Sequence, residues 1–252
     1  MMKTLKDNAE KSYNNLADKH AEKIENTAAE IRKLRAKLAP GHDMKVKIEQ
    51  SELHKGKVLF SAEDINFSYS GDNYLWKHPL SVKIFSGDRI QLCGDNGSGK
   101  TTLLKIIMNY LQPSCGIVQR TEFSHIYLDQ EYSLIDPVLT VIEQVDKFNT
   151  TNIHDHIIKT ELHRYLFPKE SWEKKCSALS GGEKLRLTLC CMAVKDSTPD
   201  VFILDEPTNN LDIRSMEILT NSIKEYKGTI LLISHDLNFA KEIGTNQIIV
   251  IE

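Results

Sequence analysis

Gly94-Asp95-Asn96-Gly97-Ser98-Gly99-Lys100-Thr101 is the stretch on which the fold of this chain turns. It satisfies G-x-x-x-x-G-K-[ST], follows the apolar run RIQLC at 89–93, and opens Thr102-Leu103-Leu104-Lys105-Ile106-Ile107, whose apolar spacing is helical. Strand, glycine loop and helix stand in the order the motif requires. Glycines are needed because backbone N–H groups must wrap a polyphosphate closely, and the helix amino terminus adds a favourable dipole and free donors. Gly94, Asn96, Gly97, Ser98, Gly99 and Thr102 are therefore candidate phosphate contacts. Lys100 would neutralise the β- and γ-phosphates, and the Thr101 hydroxyl would ligate Mg2+. The alternative is a flexible glycine turn with no ligand.

Downstream, Val201-Phe202-Ile203-Leu204 runs into Asp205-Glu206-Pro207, a buried strand delivering two carboxylates to a sheet edge. Asp205 is placed to hold Mg2+ directly or through water, and Glu206 to polarise an attacking water. Ser180-Gly181-Gly182-Glu183 precedes another helical pattern and reads as a capping box. Two glycines in a first turn weaken a helix, which suggests that something must approach that backbone. A second anion-binding helix end is the sharper reading.

Further out, HIYL (125–128), TILLI (229–233) and QIIVI (247–251) are short apolar runs with helical patterns between most of them. Strands alternating with helices predict a parallel-rich sheet covered on both faces, with ligands at the carboxyl ends of its strands. Ile65, Phe67 and Tyr69 alternate as in a half-buried strand, as does Leu80-Ser81-Val82-Lys83-Ile84. No Gly or Pro interrupts residues 5–38, and apolar residues recur there in steps of three and four up to Pro40-Gly41. This predicts one amphipathic helix of about 50 Å, followed by a polar linker at 42–56. The helix reads either as a coiled-coil or docking element or, from Arg32, Lys33, Arg35 and Lys37, as an arm that contacts nucleic acid.

The chain has 252 residues, 40% of them hydrophobic, which suits one medium domain plus an appendage and excludes a wholly disordered protein. Its net charge of -3 names no partner, but residues 1–55 hold 12 basic and nine acidic side chains while the remainder is acidic. Five cysteines with no C-x-x-C argue against a disulfide framework or zinc ribbon and predict a reduced, cytoplasmic protein. The amino terminus has no signal-peptide core, and no apolar run approaches the ~18 residues that span a bilayer.

Residues 57–252 resemble a nucleotide-binding domain of the ATP-binding cassette (ABC) superfamily: GDNGSGKT as Walker A, LSGGE (Leu179 to Glu183) as signature, VFILDE as Walker B, Asn209-Asn210-Leu211-Asp212 as D-loop, and Ser234-His235-Asp236 as switch. The resemblance implies an α/β P-loop NTPase fold, with an antiparallel β subdomain at about 57–92 and a helical subdomain at about 131–178. It also implies roles. Gln130 would be the Q-loop residue that touches the γ-phosphate or the metal's water, and His235 would sense the γ-phosphate. Tyr69 would stack on adenine, with core packing beside Ile65 and Phe67 as its alternative. Ser180, Gly181, Gly182 and Asp212 would meet a nucleotide held by a second cassette, so ATP and Mg2+ would be bound in a site completed by dimerisation. His154, His156 and His163 are expected at the surface.

The Lys100-to-Asp205 spacing of 105 residues excludes relatives whose two motifs flank a long coiled coil. DEPTNNLD and SHD are similar to the ABC-F form, whose members act on the ribosome, and the charged leading helix resembles part of the ABC-F interdomain linker that reaches towards tRNA. A transporter ATPase subunit serving a membrane partner, and an ATP-binding regulatory half that hydrolyses little, are the alternatives. Leu237 stands where that family commonly has Arg, and one cassette is present where it usually has two, so the chain resembles a carboxyl-terminal half.

Overall fold

The computed structural model describes residues 53–71, 73–195, 197–209 and 211–252. The charged helix expected over 5–38, with Arg32, Lys33, Arg35 and Lys37, and the linker up to residue 52 lie outside the described residues. In chain order the strands are β1 (Val58–Asn66), β2 (Leu80–Phe85), β3 (Arg89–Cys93), β4 (Cys115–Arg120), β5 (His125–Leu128), β6 (Val201–Asp205), β7 (Thr229–Ile233) and β8 (Gln247–Val250). The helices are α1 (Lys100–Ile107), α2 (Val141–Asp146), α3 (Asp155–Arg164), α4 (Gly181–Val194), α5 (Ile213–Glu225) and α6 (Leu237–Glu242).

Two sheets organise them. β5-β6-β7-β3-β8 form a five-stranded sheet in which neighbouring strands run parallel, and β2-β1-β4 form an antiparallel one. Strands β6 and β7 are buried along their whole length because both faces of the parallel sheet are covered. Val201, Ile203, Leu231 and Ile233 face a core shared with α1 and the antiparallel sheet, whereas Phe202, Leu204, Ile230 and Leu232 face a core built with α2 to α6. Alternation along one strand therefore joins two cores through a single layer. Strand β6 ends in Asp205 and Glu206 follows it, so both carboxylates stand at the carboxyl end of the sheet.

The antiparallel part departs from the expected span of 57–92. RIQLC at 89–93 is β3, inside the parallel sheet, and the third antiparallel strand is Cys115–Arg120. The physical reason lies in the turn at 86–88: Gly87 adopts φ 88°, and Asp88 Oδ2 accepts from the Phe85 amide at 2.8 Å, which redirects the chain between sheets. Strand β1 also stops at Asn66. Tyr69 therefore does not continue the strand face of Ile65; it is 73% exposed, its ring edge-on to Phe67 with centroids 4.8 Å apart.

Between β5 and α4 lie α2, α3 and two 3-10 turns, Lys169–Ser171 and Cys176–Ala178. The three histidines of this region are exposed, with the His154 and His156 rings stacked 5.6 Å apart and His163 edge-on to Trp172. All five cysteines are free thiols, and burial raises Cys190 and Cys191 well above the ordinary thiol range. Among the described residues, no helix is long and apolar enough to cross a membrane.

Candidate functional site

A cavity of about 290 Å3 opens where the loop after β3 enters α1. Asn96, Gly97, Gly99, Lys100, Thr101 and Thr102 form one wall; Tyr69 and Leu75 stand at one end, with Gln130, Asp205 and Glu206 at the other. A second cavity of about 260 Å3 shares Lys100 and Glu206 and is lined further by Gly94, Ser234, His235 and Leu237. The chain thus brings the loop, both carboxylates, Gln130, Tyr69 and His235 into one region.

The loop is held from outside and left open within. Gly99 has φ 93°, and a Cβ there would lie 2.6 Å from Trp76 Nε1 and 2.7 Å from Leu75 Cδ2, so only glycine fits. At Gly97, φ 84°, a Cβ would meet nothing within 4 Å, which leaves space on the cavity side. Trp76 donates Nε1–H to Ser98 O at 2.9 Å, and Asn66 fixes Trp76 through its backbone amide and carbonyl at 3.1 and 2.7 Å. The antiparallel sheet thereby buttresses the glycine loop. Lys100 folds back and donates to the carbonyls of Gly94 and Asp95, 2.8 Å each, and the Tyr69 hydroxyl shares a hydrogen with Thr102 Oγ1 at 2.7 Å.

At the other end, Asp205 Oδ2 accepts from Thr101 Oγ1 at 3.2 Å and from the Tyr127 hydroxyl at 2.8 Å. Burial first, and the Asp205 charge beside it, hold the Tyr127 phenol far above its ordinary pKa, so it remains a protonated donor. Glu206 is buried at 8% exposure and has φ 50°, a strained backbone for a residue with a side chain. Its amide donates to Ile233 O at 2.8 Å, and its carboxylate meets His235 Nε2 and the His235 amide, each at 3.4 Å. The His235 side chain is 69% exposed. Gln91, buried beneath, donates to Ser234 O at 3.0 Å and ties the Ser234-His235 segment to β3.

The residues present fit a magnesium nucleotide. A Cβ at Gly97 would meet nothing within 4 Å, so the loop backbone is open to a polyphosphate on the cavity side, with Lys100 beside it. The Ser98 hydroxyl, expected among the phosphate contacts, is buried beside Gly94 and lines neither cavity. Thr101 and Asp205 are adjacent hard oxygen donors of the kind Mg2+ takes together with phosphates and water. No cluster of three His, Cys, Asp or Glu side chains forms a separate metal site among the described residues.

The signature residues sit elsewhere. None of Leu179 to Glu183 lines either cavity. Ser180 caps α4 in a reciprocal box: its hydroxyl accepts from the Glu183 amide at 3.3 Å, and Glu183 Oε2 accepts from the Ser180 amide at 2.8 Å. Burial works against the Glu183 carboxylate, but hydrogen bonds from Ser180 and Lys174 outweigh it and lower its pKa. Gly181 follows in the first turn, and Gly182 is buried against Asp212 and Ser215. Asp212 caps α5 by accepting from the Ser215 amide at 2.8 Å and hydroxyl at 3.0 Å, so it too is turned away from the P-loop cavity. Backbone bonds from Val141 to Lys174 O and from Cys176 to Leu139 O tie the segment after Gln130 to the one before Ser180.

Tyr127, Trp76 and Gln91 support the site although no sequence motif singles them out. Each is an isolated polar or aromatic residue in a strand or loop, and each acquires its partner only through folding.

Comparison with known proteins agrees with this geometry. The family model described as ABC transporter matches residues 77–209. The ATP-binding protein Uup of Haemophilus influenzae is 35% identical over 195 residues, covering 75% of this chain and 29% of its own length. ABC transporter F family member 5 of Arabidopsis thaliana is 38% identical over 200 residues, covering 78% and 28%. The chain thus spans under a third of the length of these two relatives. The ATP-binding cassette MJ0796, in a dimeric post-hydrolysis state bound to ADP and Pi, superposes with a TM-score of 0.60 at 21% identity, covering 77% of this chain and 94% of that one. With the glycine loop, both carboxylates and His235 at one end of the sheet, the chain belongs to the ABC transporter family and carries an ATP-binding cassette of the ABC-F type.

Proposed function

We propose that this chain binds and hydrolyses Mg-ATP in a site completed by a second cassette, and that its ATP-bound form acts in the cytoplasm on the ribosome, as a translation factor or a ribosome-protecting antibiotic-resistance protein. The observation that carries the enzymatic reading is the convergence of Lys100, Thr101, Asp205 and Glu206 on one cavity from which the signature is absent. Lys100 and the loop amides bind the triphosphate. Thr101, Asp205 and Gln130 would hold Mg2+, whose charge offsets that of the phosphates. Glu206, in a strained and buried position, orients the attacking water and takes its proton, while His235 bridges Glu206 and the γ-phosphate. Tyr69, exposed at the cavity's far end, offers a ring face to adenine. Ser180, Gly181, Gly182 and Asp212 serve the nucleotide of the partner cassette.

The ribosomal part of the reading is supported by similarity to ABC-F relatives, by the DEPTNNLD and SHD sequences, and by the basic residues Arg32, Lys33, Arg35 and Lys37. The test is co-sedimentation of the Glu206→Gln chain with ribosomes in the presence of ATP, over a salt series and beside membrane vesicles. Binding to ribosomes is expected, and replacing those four cations should weaken it while lowering the salt slope by roughly 0.7 to 0.9 for each phosphate no longer neutralised. Binding to vesicles alone would sink the ribosomal reading in favour of a transporter subunit.

A further inference from the structure

We propose that Tyr127 is a positioning residue of the metal site, fixing the Asp205 carboxylate to β5 so that Asp205 and Thr101 face the cation as one rigid unit. The inference rests on the Mg-ATP reading of the cavity. Two hydroxyls converge on a single oxygen, Asp205 Oδ2: Thr101 Oγ1 from α1 at 3.2 Å and Tyr127 from β5 at 2.8 Å. Thr101 can offer a lone pair to a cation and still donate its proton to Asp205, so it cannot by itself fix where the carboxylate points. Tyr127 can, because its ring packs against the core shared by both sheets and its strand is locked to β6, with Tyr127 opposite Ile203.

The chemistry of the donor matters. A Lys or Arg at this place would neutralise Asp205 and compete with the cation for it; a neutral hydroxyl orients the carboxylate and leaves its charge to the metal. The same strand leads in three residues to Gln130, which lines the cavity. Strand β5 thereby fixes one oxygen ligand through Tyr127 and leads to another, Gln130, just past its end. A tyrosine merely satisfying its own hydroxyl on the nearest acceptor would show the same bond, and metal affinity separates the two cases.

The experiment uses the full chain loaded with ATP, with Mn2+ in place of Mg2+, and reads bound and free Mn2+ by electron paramagnetic resonance. Tyr127→Phe keeps the ring and removes the hydroxyl. It should weaken Mn2+ retention about tenfold, the scale found when a partner of a metal ligand is removed, and leave ATP affinity in EDTA unchanged. In an Asp205→Asn background the same change should add nothing, since its effect runs through that carboxylate. Tyr127→Leu is titrated alongside and supplies the result should the Phe variant lose its near-ultraviolet circular dichroism. Equal Mn2+ affinity in wild type and variant overturns the proposal alone. A wild-type chain that binds ATP without retaining Mn2+, or binds no ATP, overturns the site reading and this inference with it.

Discussion

A methyl group on Gly182 would stand 2.6 Å from Ser215 Oγ and 2.8 Å from Asp212 Oδ2, closer than a carbon tolerates. Those oxygens are not loose ends, because they make the cap that starts α5. Gly182→Ala must therefore either lift α4 from α5 or break the Asp212 cap, at a cost of about 1 to 3 kcal/mol for overpacking, less the fraction that alanine returns in helix propensity. A fall of roughly 1 to 8 °C in Tm is expected, read by calorimetry on the nucleotide-free chain. An unchanged Tm would mean that the two helices do not meet as described. The residue also marks what is legible in the sequence. The unusual glycine pair is visible there and points to a ligand, yet at Gly182 the group that approaches is the chain's own D-loop. Gly94 to Thr101 can be read directly because a local segment makes the whole cradle. Tyr127 and Trp76 cannot, since their partners Asp205 and Ser98 lie far away in sequence.

Arg89 does for two helices what no residue within them does. From the first position of β3 its guanidinium donates to Ile243 O at the end of α6, and to Tyr226 O and Ile223 O at the end of α5, the last at 3.3 Å. These are carbonyls that a helix leaves without partners, at the end where its dipole favours a cation. Arg89→Met keeps the apolar stem and removes the donors. We expect a loss of about 2 to 3 kcal/mol, hence roughly 4 to 12 °C in Tm, since hydrogen bonds to charged groups exceed neutral ones and the stranded acceptors are partly buried. Urea unfolding with an unchanged midpoint would refute it. Elements are legible where their pattern is strong: RIQLC, HIYL, VFIL, TILLI and the helix after the glycine loop all stand where periodicity puts them. Strand β4, CGIVQR, is not, because half its residues face solvent and its pairing is with β1, 49 to 60 residues earlier. The boundary between the sheets escapes the sequence for the same reason: the turn at Gly87 is local, but the choice of sheet is not.

At the scale of the molecule, the P-loop face and the signature cap are separate surfaces of one cassette, and in the proposed function each is half of an arrangement. The cavity offers Lys100, Thr101 and Asp205 to the phosphates from one side only, while the Ser180 cap presents a helix end that meets no nucleotide of its own chain. ABC cassettes dimerise, and MJ0796 with ADP and Pi does so. Nucleotide would then act as the contact between two chains, each supplying one surface, so dimer stability should follow ATP occupancy. Glu206→Gln preserves the shape of the buried carboxylate while removing the proton acceptor, so the γ-phosphate survives and the closed pair accumulates. Static light scattering should give the 28.7 kDa monomer without nucleotide and twice that mass with Mg-ATP. Ser180→Arg, in the same background, places a bulky side chain on the signature surface; it should abolish the dimer and leave ATP bound to the monomer, which separates pairing from binding. If Glu206→Gln stays monomeric at saturating ATP and high protein concentration, the chain does not pair with itself, and the complementary signature must come from a different cassette.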